Sequence, residues 1–98
     1  MSLLNDELKK TLPTLYSTEN IKDPIIQCKF YVPNNLWKWY VLEFDLEQGV
    51  FFGCVCGFEN ELGYFSLWDL EVVGALRDVD FKPQSLSGIK RSCNDRDT

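Results

Sequence analysis

The segment 36–58 constrains the fold more than any other stretch of the chain. In an extended strand, side chains two apart point to the same side. On that pattern Leu36, Tyr40, Leu42, Phe44 and Leu46 share one face, interrupted by Lys38, while Trp37, Trp39, Val41, Glu43, Asp45 and Glu47 share the other. Gln48-Gly49 makes a tight connection to a second, nearly continuous apolar run over 50–58. Two extended segments joined by a short glycine-containing turn predict an antiparallel hairpin. Gly53 and Gly57 fall on one face of its second strand, where a neighbour can approach closely or an aromatic ring can lie across them.

The flanking segments supply the remaining elements. Leu4, Leu8 and Leu12 recur at a spacing of four, with Asn5 or Asp6 available to start a helix and Pro13 to end it, so residues 3–12 predict an N-terminal helix. Turn chemistry follows over 14–24, closing on Asp23-Pro24. Residues 25–32 predict a strand with Ile26, Cys28, Phe30 and Val32 on one face. After a charged bend at Glu59-Asn60-Glu61, Gly63-Tyr64-Phe65 returns as a short strand. Ser66 then reads as the N-cap of a short helix over 66–73, with Gly74 as its stop. Residues 79–82 predict a final strand. The expected architecture is α+β: a small antiparallel sheet of four to five strands about the central hairpin, with two helices. Residues 1–90 form one domain, and 91–98 form a flexible polar tail.

Several function classes are poorly supported. With 15 acidic residues against 10 basic ones, the formal net charge of −5 disfavours binding to nucleic acid, which is driven by Lys and Arg neutralising phosphates. No apolar run approaches the length of a membrane span, and the first ten residues lack the charged-then-apolar order of a signal peptide. The expected location is therefore cytoplasmic. The chain has no histidine, which excludes Ser-His and Cys-His nucleophiles, and it carries no glycine-rich phosphate loop. Cys28, Cys54, Cys56 and Cys93 lack the spacing of a structural zinc site and are expected as reduced, buried or idle thiols. No cofactor or metal is expected.

The most specific feature is the row on the first hairpin strand, where Trp37 and Trp39 run into Glu43, Asp45 and Glu47. Aromatic anchors with charges at the rim suit a protein interface. Glu59 and Glu61 at the bend add acidic groups on a loop, where ligand contacts concentrate.

The chain also resembles the family called domain of unknown function 2958. The resemblance is carried by Leu12-Pro13-Thr14-Leu15-Tyr16, by Trp37-Lys38-Trp39-Tyr40 with Glu43 and Asp45, and by Phe52-Gly53. It continues through Asn60-Glu61-Leu62-Gly63-Tyr64-Phe65-Ser66-Leu67 with Asp69-Leu70, then Arg77-Asp78, Phe81-Lys82-Pro83 and Leu86, covering 3–90. The link before Arg77 is shorter than that pattern, and Trp68 stands where a small or polar residue belongs, making Trp68 a candidate contact. The resemblance implies no catalytic residues. It implies a setting on plasmids, phages and integrative elements.

The expected function is thus a non-catalytic protein-interaction module of a mobile element. In its most specific form it inhibits a host-defence nuclease, anti-CRISPR or antirestriction in type, by covering a basic surface. Two alternatives stand beside it: an accessory single-stranded nucleic-acid binder using the sheet aromatics, and a small ligand-binding protein or enzyme using the bend from Glu59 to Tyr64.

Overall fold

A computed structural model of the chain describes residues 3 to 95. Helix α1 (Asp6–Thr11) begins at Asn5, whose side chain accepts the Leu8 N–H at 2.8 Å, and stops at Leu12 before Pro13. Strands β1 (Ile25–Ile26), β2 (Cys28–Tyr31), β3 (Lys38–Asp45), β4 (Val50–Cys56) and β5 (Asn60–Ser66) follow. Helix α2 (Leu67–Val72) is capped by the Ser66 hydroxyl, which accepts the Asp69 N–H at 2.9 Å. Val73 is its C-cap and Gly74 follows in the left-handed conformation that terminates it, at a φ of +76° open to glycine without steric cost. Strands β6 (Leu76–Arg77) and β7 (Gln84–Ser85) lead into helix α3 (Leu86–Asp95).

The expected α+β architecture is present. Five antiparallel strands lie in the order β5-β4-β3-β2-β6, and β1 pairs with β7 in a separate two-stranded ladder. The near-continuous apolar character of β4 has a physical cause, because other elements pack on both of its faces over most of its length. On one face Cys28, Phe30, Val41, Phe44 and Phe51 pack with Leu3, Leu4 and Leu12 from the N-terminal segment and with Leu70 of α2. On the other, Tyr40, Leu42, Cys54 and Cys56 pack with Ile26 and with Leu86, Ile89 and Cys93 of α3.

Five expectations about the fold are corrected. A β-bulge between Val41 and Glu43 shifts the register of β3 on β4. The extra residue breaks the two-residue period, so Val41 and Phe44 join one core while Tyr40 and Leu42 join the other. The strand expected over 25–32 is interrupted at Gln27, whose N–H leaves for the Val41 carbonyl at 2.8 Å; Ile26 therefore packs on the opposite side from Cys28 and Phe30. Residues 79–82 form no strand: Asp78 folds them into a turn, accepting the Asp80 N–H on its side chain and the Phe81 N–H on its carbonyl.

The fourth correction concerns the closing segment. Far from fraying at residue 91, the chain stays helical through Asp95, and residues 96–98 lie outside the described residues. A disulfide between Cys56 and Cys93, with Cα atoms 6.4 Å apart, bolts α3 to β4. This overturns the expectation that all four cysteines are reduced. Cys28 and Cys54 are free and buried. Burial pushes the Cys28 thiol up to about 12 against the lowering effect of Arg77, and it raises the Cys54 thiol against Lys90.

Candidate functional site

The bulge decides which candidate residues meet. Trp37 and Trp39 precede it, and their rings stack with centroids 6.2 Å apart and planes 22° from parallel. Trp37 lies across Gly57, where a Cβ would collide with the indole, and Phe58 meets Trp37 edge-on at 5.8 Å. This is the aromatic-over-glycine arrangement expected from the sequence. Gly53 shows the other expected use, since a Cβ there would run into the Tyr40 backbone.

Residues directly opposite in antiparallel strands share a face. Phe30 faces Trp39, Trp39 faces Val55, and Val55 faces Glu61, so one row runs across four strands to end in a carboxylate at the sheet edge. The Phe44–Phe51–Phe65 part of this face is packed under the N-terminal segment and α2. Toward Trp37 the cover gives out. Val32, Asn35, Trp37, Trp39 and Val73 line a groove of about 400 Å³ there, with both indoles half-buried. Around it Phe58 is 87% exposed, Leu36 60% and Val73 53%. The Glu59 and Glu61 side chains at this end are exposed and have no ion-pair or hydrogen-bond partner among the described residues.

The acidic row expected on β3 does not exist. Glu43 is turned to the opposite face and is 2% exposed. Its Oε1 accepts the Tyr16 N–H at 2.7 Å, and its Oε2 accepts the Thr18 N–H at 2.9 Å together with the Thr18 hydroxyl. Three donors aimed at one carboxylate offset much of the cost of burying it. The anchored loop includes Tyr16 at a φ of +70°, an uncommon conformation for a non-glycine residue. Asp45 is half-buried and accepts the Glu47 N–H at 3.1 Å, holding the turn, while Glu47 itself is exposed beyond the strand. Trp68, 73% exposed on α2, makes no ring contact with the Trp37–Trp39 pair.

The Glu43 loop also walls a cleft of about 450 Å³, floored by Leu42, Phe52 and Leu86 and edged by Tyr64, Lys22 and Lys90. A hydrogen bond to Tyr16, then burial and the charges of Glu43 and Glu19, raise the Tyr64 phenol above its ordinary pKa. Sequence reasoning missed this cleft. Its one legible signal was a lone acid inside the apolar run Val41-Leu42-Glu43-Phe44.

Among the described residues no three Cys, Asp or Glu gather in a way that could hold a metal ion, and no helix is long and apolar enough to cross a membrane. Set against known protein families, curated proteins and solved structures, the chain matches none.

Proposed function

We propose that this protein is a non-catalytic interaction module that grips a protein partner through the uncovered end of the sheet. Trp37 and Trp39 supply the anchor, Phe58 and Leu36 extend it, and Glu59 and Glu61 form the charged rim. The observation that carries the reading is the stacked indole pair beside an open groove, next to carboxylates with no partner of their own among the described residues. Desolvated aromatics at the centre with charge at the margin is the composition of interface hot spots. The acidic rim and the net charge of −5 favour a partner that presents Lys and Arg. In its most specific form, resting on the family resemblance, the partner is a host-defence nuclease of a plasmid- or phage-bearing cell, and the module covers its nucleic-acid groove.

Parallel affinity capture tests this, with the wild-type chain and a W37A/W39A variant as baits and mass spectrometry as the readout. The expected result is a basic, nucleic-acid-binding protein retained by wild type and lost from the variant. Identical retention on both baits overturns the reading.

A second reading rests on the cleft beside Glu43. Its volume of about 450 Å³ falls in the range of small-ligand sites. It borders β5 at Leu62 and Tyr64 but not at Glu59 or Glu61. Both Glu43 oxygens are already engaged by the loop, so that carboxylate holds the wall in place and is not offered to a ligand.

A further inference from the structure

Strand β5 is an edge of the five-stranded sheet. It ladders with β4 along all seven residues and with no strand on its other side among those described. Edges of this length are ordinarily blunted by lysine, proline or a bulge. β5 has none of these: it reads Asn-Glu-Leu-Gly-Tyr-Phe-Ser, its register on β4 is unbroken, and Glu61 is its one charge. On one face Leu62 is 44% exposed and Tyr64 56%. On the other face, that of Glu61 and Phe65, a Cβ at Gly63 would meet nothing within 4 Å, so the sheet is uncovered there as well.

The geometry points to a second copy of this chain as the occupant, with β5 pairing antiparallel to β5 about a two-fold axis through Gly63. The sequence of the strand is complementary to its own reverse. With Gly63 opposite Gly63, Leu62 lies opposite the other copy's Tyr64, Glu61 opposite Phe65, and Asn60 opposite Ser66. All seven residues are used, and no carboxylate faces a carboxylate. Sliding the copies until Glu61 meets Glu61 would set like charges against each other and leave most of the strand unpaired. Opposed residues in the Gly63-centred register are always an even number of positions apart. Each residue that turns its N–H and C=O outward therefore meets one that does the same, as an antiparallel ladder requires. Two Leu–Tyr contacts, one on each side of the axis, cover the side chains that the monomer leaves half in water. The product is a continuous ten-stranded sheet; it leaves the residues lining the tryptophan groove outside the pairing and takes up only Glu61 of the rim.

Sedimentation equilibrium over about 10 µM to about 1 mM tests the proposal, since one edge-to-edge ladder is a small interface. The weight-average mass is expected to climb from 11.4 kDa toward twice that value. Leu62→Glu, which removes both apolar Leu–Tyr contacts flanking the axis and buries a charge in their place, is expected to raise the dissociation constant at least ~10-fold while the far-UV circular dichroism stays that of wild type. Adding Tyr64→Lys places each new glutamate opposite a lysine in this register alone, and is expected to restore dimerisation to within about 3-fold. W37A/W39A is expected to dimerise as wild type does. A chain that stays at 11.4 kDa throughout, a folded L62E that dimerises normally, or an L62E/Y64K pair without rescue each overturns the proposal.

Discussion

Thr18 and Glu43 are 25 residues apart in sequence, yet the Glu43 carboxylate accepts both the backbone N–H and the hydroxyl of Thr18, buried beneath the loop. That one contact ties the 14–24 segment to the central strand and explains why an acid sits inside an apolar run. Removing the carboxylate leaves the Thr18 N–H unanswered in a buried site and the Tyr16 N–H unanswered in a part-buried one. Glu43→Ala is expected to cost about 3 kcal/mol, read as a lower urea midpoint at unchanged slope. A cost below about 0.5 kcal/mol would show that the loop is held by other contacts.

The two hairpin glycines separate a backbone constraint from a ring contact. Gly53→Ala drives a methyl group into the Tyr40 carbonyl, which belongs to a paired strand and has nowhere to go. The expected loss is at least ~3 kcal/mol, or failure to fold. Gly57→Ala meets the Trp37 indole, which stands beside an open groove and can swing aside. About 1 kcal/mol or less is expected there, together with a shift in tryptophan fluorescence.

Closing a loop across 37 residues restricts the unfolded chain, so the Cys56–Cys93 disulfide is expected to contribute roughly 2–4 kcal/mol. Urea unfolding of a C56S/C93S variant against wild type measures it. In native wild type, Cys28 and Cys54 are expected to resist alkylation at pH 8, because burial keeps both thiols protonated, and to react once the chain is unfolded.

Asp23 caps the start of α3, its two oxygens accepting the Ser87 N–H at 3.0 Å and the Ser87 hydroxyl at 2.8 Å. Those bonds, side chain first, hold its pKa below the ordinary 3.8. A carboxyl depressed on folding adds stability that is fully present above its unfolded pKa and is lost as pH falls through the folded one. Asp23→Asn is therefore expected to flatten the stability profile below about pH 4 and to leave its shape near pH 7 unchanged. Identical acid limbs for the two proteins would remove Asp23 from the balance.

Much of the fold was legible because local signals agreed with it. Asn5, one of the two residues offered for the first cap, and Ser66 cap their helices, and Gly49 and Gly74 sit at positive φ where the turn and the stop were placed. The aromatic strands followed from alternation, and a close neighbour or a ring over Gly53 and Gly57 followed from the missing Cβ, though which ring did not. The faces of β3 beyond Val41 were not legible, because a bulge adds a residue without changing composition. The same slip broke the candidate row: Trp37 and Trp39 stayed with Glu61, reached through Val55, while Glu43 crossed to the other side. Helix α3 was hidden for a different reason. Its mostly polar face reads as a tail until Leu86, Ile89 and Cys93 are seen against Cys54 and Cys56, a contact that depends on tertiary pairing.

Binding by the paired tryptophans is the claim on which the functional reading rests. The most direct measurement is the affinity of a partner retained by the wild-type chain, titrated against wild type, W37A/W39A and W68A. Loss of the indole pair is expected to weaken binding by at least ~30-fold, the loss of a hot-spot anchor, with W68A close to wild type. Equal affinities for wild type and a folded W37A/W39A would contradict it.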